Sequence, residues 1–238
     1  MGAGYFLCAK IIFVIGNMTD KEILSHIDHT LLKPTSSWVE IETLCAEAIR
    51  YATASVCVPP SYVKRIHEAY SGKVNICTVI GFPLGYNPIE AKLKEAETVL
   101  THGANELDMV INLGDVKNSA FSNVKDEISA LKKISGNKIL KVIVETCFLT
   151  QEEKIQLCEI VTEAGADFIK TSTGFGSGGA VLDDIFLFKK HIGAGVKIKA
   201  AGGIRSRDDI EKFIDAGCDR IGTSSAVTLL TSGKSIGY

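Results

Sequence analysis

The chain has no block of like charge, no cysteine pair at C-x-x-C spacing and no apolar run long enough to cross a bilayer. Each absence closes off a class of function. With 26 basic against 28 acidic residues and no basic stretch, there is no electrostatic footprint for nucleic acid. Seven cysteines, odd in number and scattered, make no disulfide framework and read as reduced thiols of a cytoplasmic protein. The five histidines form neither H-x-H nor H-E-x-x-H, and His26 with His29 lacks a third ligand nearby, so no metal is expected. A serine hydrolase is disfavoured as well, since no G-x-S-x-G elbow occurs.

The stretch "YFLCAKIIFVIG", residues 5–16, is too short to span a membrane, is interrupted by Lys10 and has no basic n-region. Met18 followed by "TDKEILSHID" reads as a start, with Thr19 or Asp20 as helix cap. Residues 1–17 are therefore expected to be a non-essential extension, and residues 18–238 one domain.

What the sequence does contain is alternation. Short, β-branched apolar runs occur at 29–32, 55–58, 74–80, 106–111, 139–144, 167–170, 196–199 and 220–222. Helical periods fill the gaps at 38–51, 62–70, 89–102, 123–134, 151–164, 183–191 and 207–216. Thr150 with Glu153, and Ser206 with Asp208 and Asp209, supply capping chemistry, while Gly103, Gly165 and Gly217 stand where helices end. Eight strands alternating with helices imply a parallel α/β sheet, and the count favours a closed (β/α)8 TIM barrel over an open doubly wound sheet.

Gly174, Gly176 and Gly179 spell G-x-G-x-x-G after a strand. A dinucleotide site needs an acidic residue about 20 positions on, and "VKIKAAGG" is basic there. The motif also sits in the sixth strand–helix unit, not the first. No nicotinamide or other cofactor is expected.

Functional groups of a barrel project from the carboxyl ends of its strands. Those ends offer Asp108, Glu145, Lys170 and Lys199. Taken singly, each reads as a solvated strand-end charge. Two lysines and an aspartate converging on one mouth suggest more. A lysine amine attacks carbonyls only when unprotonated, and at a pKa near 10.4 only about one in two thousand qualifies at pH 7. Burial and a neighbouring cation both push that value down. The loops "AAGGIRS" and "GTSSAV" follow the last two strands, where Gly202, Gly203, Ser224 and Ser225 suit a phosphate or else serve as turn and cap residues.

"DHTLLKP" (28–34), "SVCVPP" (55–60), "ELDMVIN" (106–112), "FIKTSTGF" (168–175), "KAAGGIR" (199–205) and "GTSSAV" (222–227) together resemble the deoxyribose-phosphate aldolase family, in family order from about residue 20 onward. The resemblance implies a cytoplasmic class I aldolase. Its reaction splits 2-deoxyribose 5-phosphate reversibly into acetaldehyde and glyceraldehyde 3-phosphate, in deoxyribonucleotide catabolism. Carried over by motif, Lys170 is the Schiff-base lysine, Lys199 the lysine that tunes it and shares in proton transfer, and Asp108 a proton donor and acceptor working through water. Asp28 and Thr30 are implied to line the same mouth, Cys57 the aldehyde pocket, and Thr173, Gly174, Gly202, Gly203, Ser224 and Ser225 the rest of the substrate site. Tyr238 is similar to a terminal tyrosine that assists proton transfer. Two positions depart from the pattern: Ala201 stands where serine is familiar, and Phe175 where some members carry lysine. Implied partners are small phosphosugar and aldehyde substrates, with neither nucleic acid nor membrane, and a homo-oligomer is left open. The alternatives are a transaldolase-like or isomerase barrel, or a silent phosphosugar-binding regulator.

Overall fold

The computed structural model describes residues 18–70 and 72–232. The segment 1–17 and Tyr238 lie outside them. Eight parallel strands close on themselves in sequence order: β1 (Ile27–Thr30), β2 (Ser55–Val58), β3 (Ile76–Ile80), β4 (Glu106–Val110), β5 (Ile139–Ile143), β6 (Phe168–Lys170), β7 (Lys197–Ala201) and β8 (Arg220–Thr223), with β1 pairing β8. The closed barrel bears out the count of eight, and the open sheet is excluded.

The helices form where capping and amphipathic spacing predict. Helix α1 (Asp20–Ser25), α2 (Trp38–Tyr51), α7 (Gln151–Glu163) and α9 (Arg207–Ala216) each open on a reciprocal capping box, from Thr19, Ser37, Thr150 and Ser206. Each such cap is worth about 1 kcal/mol. Between them run α3 (Val63–Tyr70), α4 (Ile89–Thr101), α5 (Leu113–Lys117), α6 (Phe121–Ser135) and α8 (Leu182–His191), with α10 (Ala226–Ser232) after β8. One of these, α5, was not foreseen. No helix of the described residues is long and apolar enough to cross a membrane.

The pleat divides the core in two. Leu107 and Met109 of β4 point outward into the large apolar layer beneath the helices. Glu106 and Asp108 of the same strand point inward. Inside the barrel Cys57, Cys77 and Val79 form a small apolar cluster, and charged side chains occupy much of the space around it. Strand β1 begins two residues earlier than the pattern suggested. Ile27 follows directly from α1, whose Ile23 and Leu24 are buried, so no loop marks the boundary.

Candidate active site

The interior alternation of six strands brings together residues far apart in sequence. Register sets Asp108 beside Lys141, Lys170 beside Lys199, and Lys199 beside Arg220. The Lys170 and Lys199 ammonium groups both lie 2.7 Å from one oxygen, Asp108 Oδ2, so their nitrogens are at most twice that distance apart. Lys141 donates to the other oxygen, Asp108 Oδ1, at 2.9 Å and is ion-paired with Glu106 at 2.6 Å. Asp28 meets Lys199 at 2.6 Å and Lys141 at 3.3 Å, accepts from the Ser55 hydroxyl at 2.8 Å, and pairs with Arg220. Arg220 also donates to Glu106 at 3.0 Å.

Three carboxylates (Asp28, Glu106, Asp108) thus face four cations (Lys141, Lys170, Lys199, Arg220) in a nearly dry interior. Burial opposes every charge here, and close opposite charges offset it. Burial alone raises the Asp108 carboxyl, but Lys141, Lys170 and Lys199 together hold it well below the carboxylate range. Asp28 is likewise held down by Lys141, Lys199 and Arg220 against its burial. In the same way burial disfavours the Lys199 and Lys141 ammonium groups, yet Asp108 and Asp28 push both above the ordinary lysine value. Lys170 differs in two respects. It touches one carboxylate where Lys199 touches two and Lys141 three, and it borders the cavity above.

That cavity, about 310 Å³, opens at the carboxyl ends of β6, β7, β8 and β1. Thr30, Thr173, Gly174, Gly202, Gly203, Ser224 and Ser225 all line it, together with Lys33, Phe175 and Arg205. Of the substrate-site residues that the resemblance implied and the described residues include, two sit elsewhere. Asp28 is fully buried a layer below the mouth, and Cys57 packs into the small interior cluster. The hydroxyls of Thr30 and Thr173 are already engaged, with Asp28 O at 2.7 Å and with the Glu145 carboxylate. Glu145, a strand-end candidate, stands apart from the lysines. It receives the Thr173 amide at 3.2 Å and ties the loop after β5 to the loop after β6.

The glycines behind Lys170 do not share one purpose. Gly174 does line the cavity. A Cβ on Gly179 would fall 2.3 Å from Gly202 O, and one on Gly176 would fall 3.0 Å from Cys147 Sγ. Gly179 and Gly202 let two loops meet backbone to backbone, sealed by the Ala180 amide donating to Ala201 O and Gly202 O, each at 3.1 Å.

Sequence reading missed Lys141, Arg220 and Cys77. Lys141 had a visible signal, a lone cation centred in the apolar strand "ILKVI". Arg220 and Cys77 had none.

A mouth-facing lysine, bonded to a carboxylate shared with a second lysine inside a closed eight-stranded barrel, defines a TIM-barrel lyase. The family model described as "DeoC/LacD family aldolase" matches residues 22–237. A deoxyribose-phosphate aldolase of Clostridium botulinum (strain Alaska E43 / Type E3) is 61% identical over 93% of this chain and 100% of its own length. That of Clostridioides difficile (strain 630) is 55% identical over 92% and 100%. Among solved structures, the tetrameric deoxyribose phosphate aldolase of Aeropyrum pernix superposes with a TM-score of 0.82, at 36% identity over 90% of this chain and 92% of that one. The chain belongs to the DeoC/LacD aldolase family.

Proposed function

We propose that this chain is a deoxyribose-phosphate aldolase that works through an imine on Lys170. The observation carrying this reading is the shared Asp108 oxygen, which holds the Lys170 amine beside the Lys199 cation at the floor of the cavity. Shedding one proton from four cations balances three carboxylates. Lys170, which has one carboxylate partner and faces the cavity, is the amine placed to react. The free amine attacks the substrate aldehyde, and loss of water gives the imine. The 3-hydroxyl proton then leaves, the C2–C3 bond breaks, and its electrons enter the imine to form an enamine. Return of a proton to C2 and hydrolysis release acetaldehyde. Asp108, bonded to all three lysines, is the acceptor and donor nearest the amine, and Lys199 holds the positive field that keeps Lys170 reactive. Lys199 itself is held protonated by two carboxylates, so its part is first electrostatic.

The phosphate fits the far end of the cavity, between the Gly202–Gly203 backbone and Ser224–Ser225, with Arg205 at its edge. A homo-oligomer, the state named for the Aeropyrum pernix relative, belongs to the same proposal. So does a cytoplasmic setting, supported by six free cysteines among the described residues. Borohydride reduction with acetaldehyde tests the reading. One ethyl group on the Lys170 peptide is expected. The label on Lys199, or no label at all, overturns it. Ser225→Asp should weaken turnover of the phosphorylated sugar far more than that of deoxyribose, and equal losses on both would remove the serines from the phosphate site.

A further inference from the structure

We infer that Cys57 and Cys77 close into a reversible disulfide that silences the site under oxidising conditions. The two residues are direct register partners on β2 and β3, and both point into the barrel. Neighbouring strands run about 4.8 Å apart, within the Cα separation of about 4.4–6.8 Å that a disulfide bridges. Inward-pointing side chains converge, which shortens the gap further. Their sulfurs lie within 4.8 Å of each other and of an Asp108 oxygen.

The two thiols are unequal. The neighbouring Cys77 sulfur holds the Cys57 thiol below its ordinary value, whereas burial pushes Cys77 well above. That is the pairing of an attacking and a resolving thiol. A peroxide oxidises the Cys57 thiolate to a sulfenic acid, losing one oxygen to the sulfur and leaving as water or alcohol. The Cys77 sulfur then displaces hydroxide from that sulfur, which leaves as water with the Cys77 proton. The two sulfurs give up two electrons and the peroxide takes them. Cys57 lies beneath the cavity and outside its lining, 1% exposed, so a small oxidant reaches it when the interior opens transiently. The thiols of Cys45, Cys158 and Cys218 are pushed up to about 12 by burial and stay inert.

A metal is the competing use of the pair. Both Asp108 oxygens already receive ammonium groups from Lys141, Lys170 and Lys199, so a cation there meets three like charges. Oxidation meets no such barrier, and it strikes the centre directly. Cys77 donates to Asp108 Oδ1 at 3.1 Å and accepts from Lys141 at 3.2 Å, and the disulfide removes that donor.

The full chain should be treated with hydrogen peroxide, followed in parallel by activity and by non-reducing peptide mapping. A Cys57–Cys77 linked peptide should accumulate in step with the loss of most activity, and dithiothreitol should reverse both. Cys77→Ala should show no linked peptide and no dithiothreitol-reversible loss. Inactivation without the linked peptide, a linked peptide with activity intact, or the same reversible loss in Cys77→Ala would each overturn the proposal. Mapping reads the bond without any turnover assay, so it fails or holds independently of the substrate assigned above.

Discussion

Two groups of fully buried lysines lie about one strand apart in this barrel and behave in opposite ways. Inside, Lys141 and Lys199 are pushed above the ordinary lysine value. Behind β4, Lys92 of α4 is equally enclosed, with Nζ 2.5 Å from Glu127 Oε1 and 2.8 Å from Val110 O, yet burial pulls it down and pushes Glu127 up. Depth of burial is the same in both places. What differs is the number of opposing charges. A unit charge at about 3 Å contributes about 5 kcal/mol at an effective dielectric near 20, so a second or third carboxylate changes which form is favoured. One counterion leaves a pair leaning toward neutrality, while several enforce ionisation.

The sharpest test of that difference is Lys170, the interior lysine with a single carboxylate. Lys170→Met should lower turnover by at least about 10⁴-fold, because it removes the amine on which the imine would form. A steady-state assay that finds substantial activity left would break the comparison at its centre. Next come the two buried partners. Lys141→Met strips a cation from three carboxylates and should destabilise the fold by about 3–5 kcal/mol. Lys92→Met leaves one carboxyl already inclined to protonate and should lose only about 1–3 kcal/mol. Urea melts of both variants at pH 7 decide the order.

Alkaline pH should separate them again. A lysine whose folded pKa is raised stabilises fully below its unfolded value near 10.4 and loses that contribution as pH rises further. A lysine whose folded pKa is lowered does the reverse, adding stability as pH climbs toward 10.4. Lys141→Met should therefore flatten the alkaline fall in melting temperature, and Lys92→Met should steepen it. Thermal melts above pH 9 give both slopes.

A smaller effect is expected from Lys199→Leu. Losing a neighbouring cation makes Lys170 easier to protonate, so the acidic limb of the rate profile should move to higher pH. Activity at pH 7 should then fall about tenfold for each unit moved. Lys199→Arg keeps the charge and should leave the limb in place. The smallest effect is predicted for a chain starting at Met18. It retains the Met18 carbonyl that accepts from Arg207 at 2.5 Å, and thermal melts and turnover should match those of the full chain.

The sequence was most legible where one chain segment carries the whole signal. Helices α7 and α9 lie where period and capping put them, because Thr150 with Glu153 and Ser206 with Asp209 are local pairs. Lys170, Lys199 and Asp108 were legible as strand ends. The deeper charges were not. Arg220 takes its meaning from Asp28 and Glu106, which are 192 and 114 positions away, and neither partner is visible without the register of a closed barrel. The purpose of Gly179 was hidden for the same reason, since the atom that forbids a side chain there belongs to Gly202.

That contact between Gly179 and Gly202 has a consequence for anyone reshaping this catalyst. The loops after β6 and β7 meet main chain to main chain at this point, with the Thr171 hydroxyl also bonded to the Ala201 backbone, so any substitution at position 179 wedges the joint apart. A variant library aimed at new acceptor aldehydes should leave that seam alone. Diversity belongs at Phe175, which lines the cavity, is 54% exposed and can change without disturbing that seam.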